Sequence, residues 1–191
     1  MNSLEINRDQ ILITIGGTAV FLGTIVAIAI LSLHLPLITV HWNFYHLLGG
    51  LALGVLISAL SLGLHRSVAI FRHSADANLH TIVAPLGYQD LVWLGLLPGL
   101  SEELLFRGVL LPTIGLNWLG IILSSLIFGI LHLSHPRHYI YALWAVLVGI
   151  GFAFVTIISH NLLVSIVAHT TTNILSAWLW KSKIYQPDPQ T

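Results

Sequence analysis

The chain has 191 residues, 56% of them hydrophobic and 7% charged, with seven basic residues, seven acidic residues and no cysteine. A soluble domain carries about 25% charged residues, so this chain lacks the polar surface to cover a water-soluble globule, and its zero formal net charge offers nothing to nucleic acid. The missing cysteines exclude disulfides, thiolate nucleophiles, Cys-type zinc sites and self-prenylation, and the eleven histidines leave imidazole as an abundant titratable and metal-ligating group.

Mean hydropathy is +0.90, and the apolar residues fall into six long runs. This predicts an all-α fold: a polytopic membrane helical bundle of about six transmembrane helices, in a single domain covering 1–191. Residues 1–10 are polar and read as a short tail or interfacial turn. Span one covers about 11–33. It exceeds a signal-peptide apolar region, and no clear small-residue cleavage site follows, so it reads as a membrane span. Pro36 and His41-Trp42-Asn43 mark a short loop, with Trp42 and Tyr45 as interface anchors. Span two, about 46–64, contains Gly50-Leu-Ala-Leu-Gly54, which either lets two helices approach closely or reflects the frequency of glycine in membrane helices.

Residues 65–89 form the longest polar connection, with Val68, Ala69, Ile70 and Phe71 placing part of it along the interface. Span three, about 90–111, holds Ser101-Glu102-Glu103 and Arg107, with Pro98 and Gly99 expected to kink the helix just before them. Span four covers about 117–133 and ends in the polar turn Ser134-His135-Pro136-Arg137. Span five covers about 139–158, Ser159-His160-Asn161 is another turn, and span six covers about 162–180. The tail, 181–191, is polar and carries two prolines, which predicts mobility.

Six spans place Arg8, Arg66, Arg72, Arg137, Lys181 and Lys183 on one side and no Lys or Arg on the other. Both termini are therefore expected in the cytoplasm.

A charge at the centre of a transmembrane helix costs roughly 2.5–3.5 kcal/mol on insertion scales. Two acids and an arginine within six residues of span three therefore need partners or water. Glu103 and Arg107 are spaced i,i+4 and share a helix face, as an ion pair would. Glu102 points about 100° away and has no helical partner of opposite charge, which makes it the candidate base. The bland alternative is that both carboxylates only position helices or stay protonated. His132 lies near the end of span four, four residues after Phe128, and His169 and Asn173 share one face of span six. Glu102, His132, His169 and Asn173 together can polarise a water and stabilise an oxyanion, as amide hydrolysis requires. His46 and Trp93 are weaker candidates for lining a cavity, and the remaining histidines fall at span ends and loops.

The pattern Glu102-Glu103-x-x-x-Arg107, then Phe128-x-x-x-His132, then His169-x-x-x-Asn173 resembles the CPBP family of CAAX-protease and bacteriocin-processing intramembrane proteases, also called type II CAAX prenyl endopeptidase-like. Ser101 and Phe106-Arg107-Gly108 fit that family's first motif, and the likeness covers about 88–180. The resemblance implies an intramembrane endopeptidase acting on membrane-anchored protein or peptide substrates, possible examples being prenylated CAAX-type or bacteriocin-like chains. Carried over by position, it implies Glu102 as general base, His132 as a helper in activating water, His169 and Asn173 as the oxyanion hole, and Glu103 with Arg107 holding the motif in shape.

Metal use is a fork. Glu102, His132 and His169 can supply three zinc ligands with an open fourth position. Against this, no His-Glu-x-x-His is present and no two ligands sit i,i+4 on one helix, so the expectation is catalysis without a cofactor, with zinc as the alternative. The non-enzymatic rivals are an ion or proton pathway built on Glu102, Glu103 and the histidines, and a membrane immunity scaffold. A transporter often shows repeated broken helices in matching positions, and one break with no repeat is visible here.

Overall fold

The computed structural model describes residues 6–182. The expected tails, including Lys183, lie outside these residues from 183 onward and up to residue 5. Every regular element among the described residues is helical. Helix α1 (Arg8–Leu31) opens on a capping box in which the Asn7 side chain accepts from the Gln10 amide and the Gln10 side chain accepts from the Asn7 amide. Asn43 caps α2 (Phe44–Ser67) in the same sense. After α3 (Ala69–Val83) comes a broken span: α4 (Leu91–Glu103), a π-helical turn over Leu104–Leu110, and the single turn α5 (Leu111–Ile114). Asn117 caps α6 (Trp118–Leu131), and α7 (Tyr139–Ser159) ends at His160 in the left-handed region, φ 48°. The last helix is α8 (Leu163–Lys181).

Each of the six expected spans corresponds to a helix or to the broken helix. Arg8–Leu31, Phe44–Ser67 and Pro136–Ser159 are long and apolar enough to cross a membrane, and Trp118–Leu131 is apolar but shorter. The broken span and α8 carry the polar cluster instead. Large apolar side chains stay exposed along α1, α2 and α6, Ile13, Phe21, Leu56, Ile130 and Leu131 among them. Lipid, not water, is the solvent such a surface suits.

Helix α8 is the packing centre. Its Val164, Val167, Ala168 and Thr171 receive Gly50 and Gly54 of α2, so the GxxxG is a helix contact: a Cβ at either glycine would stand 2.7 Å from a backbone oxygen of α8. Another face of α8 receives α4 at Gly95, where a Cβ would stand 2.8 Å from the Thr170 oxygen. Small residues at these crossings let the backbones approach.

The connections gather at two ends. At one, Arg8 holds Asp90 through two bonds of 2.8 and 2.7 Å, His65 Nε2 meets Asp76 at 2.9 Å, and Trp180 Nε1–H donates to the same Asp76 oxygen at 3.2 Å. At the other, the Ile38 amide donates to the Gly108 oxygen, the Leu162 amide to the Thr39 oxygen, and the Asn161 amide group to the His41 oxygen. The expected basic and non-basic ends are thus the ends the fold assembles.

One local expectation needs correcting. Residues 65–89 are more than a polar connection, because α3 buries Phe71, Ser74, Ala75 and Val83 against the bundle. Pro98, the expected kink position, lies inside α4, which runs on to Glu103 before the wider π turn begins at Leu104. That turn carries Arg107 over to Phe128 and Gly149 of the neighbouring helices.

Candidate active site

Glu103 and Arg107 are both fully buried, and Arg107 Nη1–H donates to Glu103 Oε1 at 2.8 Å across the junction between α4 and the π turn. Arg107 Nη2–H donates to the Gly149 carbonyl of α7 at 3.1 Å, and its guanidinium lies 4.3 Å over the Phe128 ring. Gly149 is matched to this role, since a Cβ there would stand 2.8 Å from Arg107 Nη2. Glu103 Oε1 also accepts from His169 Nδ1 at 2.9 Å, and the His169 ring stacks on Phe152 at 5.3 Å. A carboxylate only accepts, so the His169 proton on this bond sits on Nδ1. The π turn, α7 and α8 therefore meet at one charged node. An isolated buried charge would be prohibitive, and a paired, hydrogen-bonded one is retained.

Glu102, one residue earlier, faces elsewhere. It lines a cavity of ≈ 320 Å³ together with Ser101, Pro98, His132 and Asn173. Its Oε2 has no hydrogen-bond partner and stands 3.8 Å from His132 Nε2, beyond bonding length. His132 Nδ1 is 2.8 Å from the Phe128 carbonyl, which fixes the ring as an Nδ1–H donor and leaves the Nε2 lone pair toward Glu102. His132 is the C-cap residue of α6. Fourteen residues of α6 rise about 21 Å, short of the ~30 Å hydrocarbon core. The early stop of α6 places a helix-end histidine beside a carboxylate at the C-terminal end of α4.

The structure thus brings Glu102, His132 and Asn173 to one cavity, and Glu103, Arg107 and His169 to one buried node beside it. His169 and Asn173 share a helix but serve different neighbourhoods. His46 and Trp93 line no part of the cavity: His46 Nδ1 accepts from the Asn161 amide at 2.8 Å, and Trp93 is half exposed. His169 Nδ1 is held by Glu103, and among the described residues no three His, Asp or Glu side chains are grouped to hold a metal ion.

Two contributions were missed by motif reading. The Gly149 carbonyl leaves no side-chain signal at all. The cavity wall from α3 did leave one: Ala75, Leu79 and Val83 recur every four residues, the spacing of one helix face.

Residues 85–175 match the family model described as Type II CAAX prenyl endopeptidase Rce1-like. This stretch holds Glu102, Glu103, Arg107, His132, His169 and Asn173, and leaves out α1, α2 and α3. No curated protein and no solved structure matches the chain.

Proposed function

We propose that this integral membrane protein, whose residues 85–175 match the Rce1-like family model, is a CAAX-type intramembrane endopeptidase using Glu102 as its base. One observation carries the reading: the unpartnered Glu102 carboxylate faces the lone-pair nitrogen of His132 across 3.8 Å in a cavity that Asn173 shares. A gap of that size between two acceptors suits a bridging water.

The chemistry follows from these groups. The water sits between Glu102 Oε2 and His132 Nε2, donating a hydrogen bond to each. It attacks the scissile carbonyl carbon as Glu102 takes one of its protons. The Asn173 amide N–H donates to the oxygen that becomes negative. Glu102 then returns the proton to the leaving amine, and the C–N bond breaks. His169, with its Nδ1–H committed to Glu103, acts as a positioning residue that ties α8 to the node beneath the base. Both termini face the cytoplasm on this reading, because the described Lys and Arg residues outside the node gather at the end bearing the cavity. Substrates are membrane-anchored proteins or peptides.

The test is cleavage of a prenylated CAAX-type peptide and of a membrane-anchored peptide library by purified protein in liposomes. Wild type is run beside Glu102→Gln, with and without a chelator. The reading expects cleavage that is lost in the variant and survives chelation. Loss on chelation with rescue by zinc would replace the mechanism and keep the peptidase. An inert wild type on every substrate would overturn both.

A further inference from the structure

The cavity is built from two halves of different provenance. Its polar groups, Glu102, His132 and Asn173, come from the family-matched stretch, 85–175. The wall that closes it at the other side comes from outside that stretch: Ile15 and Thr18 of α1, and Ala75, Leu79 and Ile82 of α3. Ile15 and Leu79 pack on the same apolar cluster, formed by Ile11, Val83, Leu91 and Trp180. Helix α3 thereby lays one face on the cavity while its polar groups bind neighbouring segments, Asp76 to His65 of α2 and Trp180 of α8, and Asn78 to Ser134.

We infer that this wall determines substrate specificity, with Leu79 and Ile82 of α3 and Ile15 of α1 receiving an uncharged apolar group of the substrate next to the scissile bond. The inference rests on the peptidase reading and adds to it the residues that choose. The wall is mainly aliphatic, with the hydroxyls of Thr14 and Thr18 of α1 and Ser61 of α2 as its polar members, so size and shape are what its aliphatic face can discriminate. A methylene more or less in an apolar pocket changes selection by roughly 10–200-fold. The occupant is either an apolar side chain or a lipid carried by the substrate, and both present the same chemistry to these residues.

The experiment compares wild type with Leu79→Ala, Leu79→Phe and Ile82→Ala on two series of membrane-anchored peptides. In one, the residue flanking the cleaved bond grows from Ala to Leu to Trp. In the other, a cysteine S-alkyl chain lengthens at constant peptide sequence. The ratio of kcat/KM for the largest to the smallest member should rise about 10-fold or more in Leu79→Ala and fall in Leu79→Phe. The series in which this happens identifies the occupant as side chain or lipid. Ile82 is 38% exposed, so its truncation leaves the fold intact and should move the ratio in the same direction as Leu79→Ala. Equal changes across all members, or none, would overturn the inference and leave the peptidase standing. A wild type that cleaves no member would overturn the peptidase reading, and the inference with it.

Discussion

Glu103 and His169, 66 positions apart in the chain, are joined by a 2.9 Å hydrogen bond inside the bundle, on the same carboxylate oxygen that receives Arg107. That shared oxygen separates two adjacent glutamates into different jobs. Glu103 is fully buried and bonded through Oε1 to two donors, its Oε2 left without a partner, whereas Glu102 is partly exposed to the cavity and has no hydrogen bond to either donor.

The separation predicts opposite phenotypes. Glu102→Gln should cut turnover by about 10²–10⁴, the range of a lost general base, while thermal unfolding in detergent stays within a degree or two of wild type. Glu103→Gln should unfold the protein more easily, because it leaves the Arg107 charge buried and uncompensated, a loss of about 3–5 kcal/mol. Glu103→Gln melting like wild type would contradict the structural role assigned to the node.

How much of this the sequence carried is uneven, for physical reasons. The i,i+4 spacing of Glu103 and Arg107 foretold their bond, since helix geometry alone sets it. The separation of Glu102 from that pair followed from the same geometry. The partner of Glu103 on α8 was not legible, because which face of α8 meets α4 depends on Gly95 and on the Gly50 and Gly54 contact from α2. His169 and Asn173 looked like one functional pair because they share a face in sequence. Helix packing then turned His169 to the node and left Asn173 in the cavity. The π turn at Leu104–Leu110 had no sequence signal, since neither proline nor a glycine pair marks its start.

Packing of α2 on α8 gives an independent test. A side chain at Gly54 would collide with the Ala168 carbonyl, 2.7 Å from an ideal Cβ, and with Thr171. Backbone cannot yield as a flexible side chain can. Gly54→Leu should destabilise the bundle by about 1–3 kcal/mol, as overpacking does. Gly63→Leu, with open space around it, should be close to neutral. Equal melting temperatures for the two variants would show that the close approach contributes nothing.

The Arg8–Asp90 link ties α1 to the turn before α4, and it responds to pH. Hydrogen bonds from the Arg8 guanidinium, with a further one from the Gly87 amide, hold the Asp90 carboxyl below its usual range. A lowered folded value means the contribution is complete above the ordinary aspartate value of about 3.9 and is lost as pH falls through the folded value. Wild type should therefore exceed Asp90→Asn in stability at neutral pH, with the difference shrinking in acid below about pH 4. A difference that stays constant through that range would assign the effect to packing.

Asp76 is the fastening of α3. One of its oxygens receives His65 from α2 and Trp180 from α8, so three helices meet there at the cavity-bearing end. Trp180 is buried, and its Nε1–H would lose this acceptor in Asp76→Ala. An unsatisfied buried donor costs about 1–3 kcal/mol, and that cost falls on α3 while the Glu103 node is untouched. The variant should show faster amide exchange across 69–83 and unchanged exchange in α7. A uniform rise across all helices would mean that Asp76 supports the whole bundle, and no change anywhere would mean that apolar packing through Phe71 and Val83 is enough to hold α3.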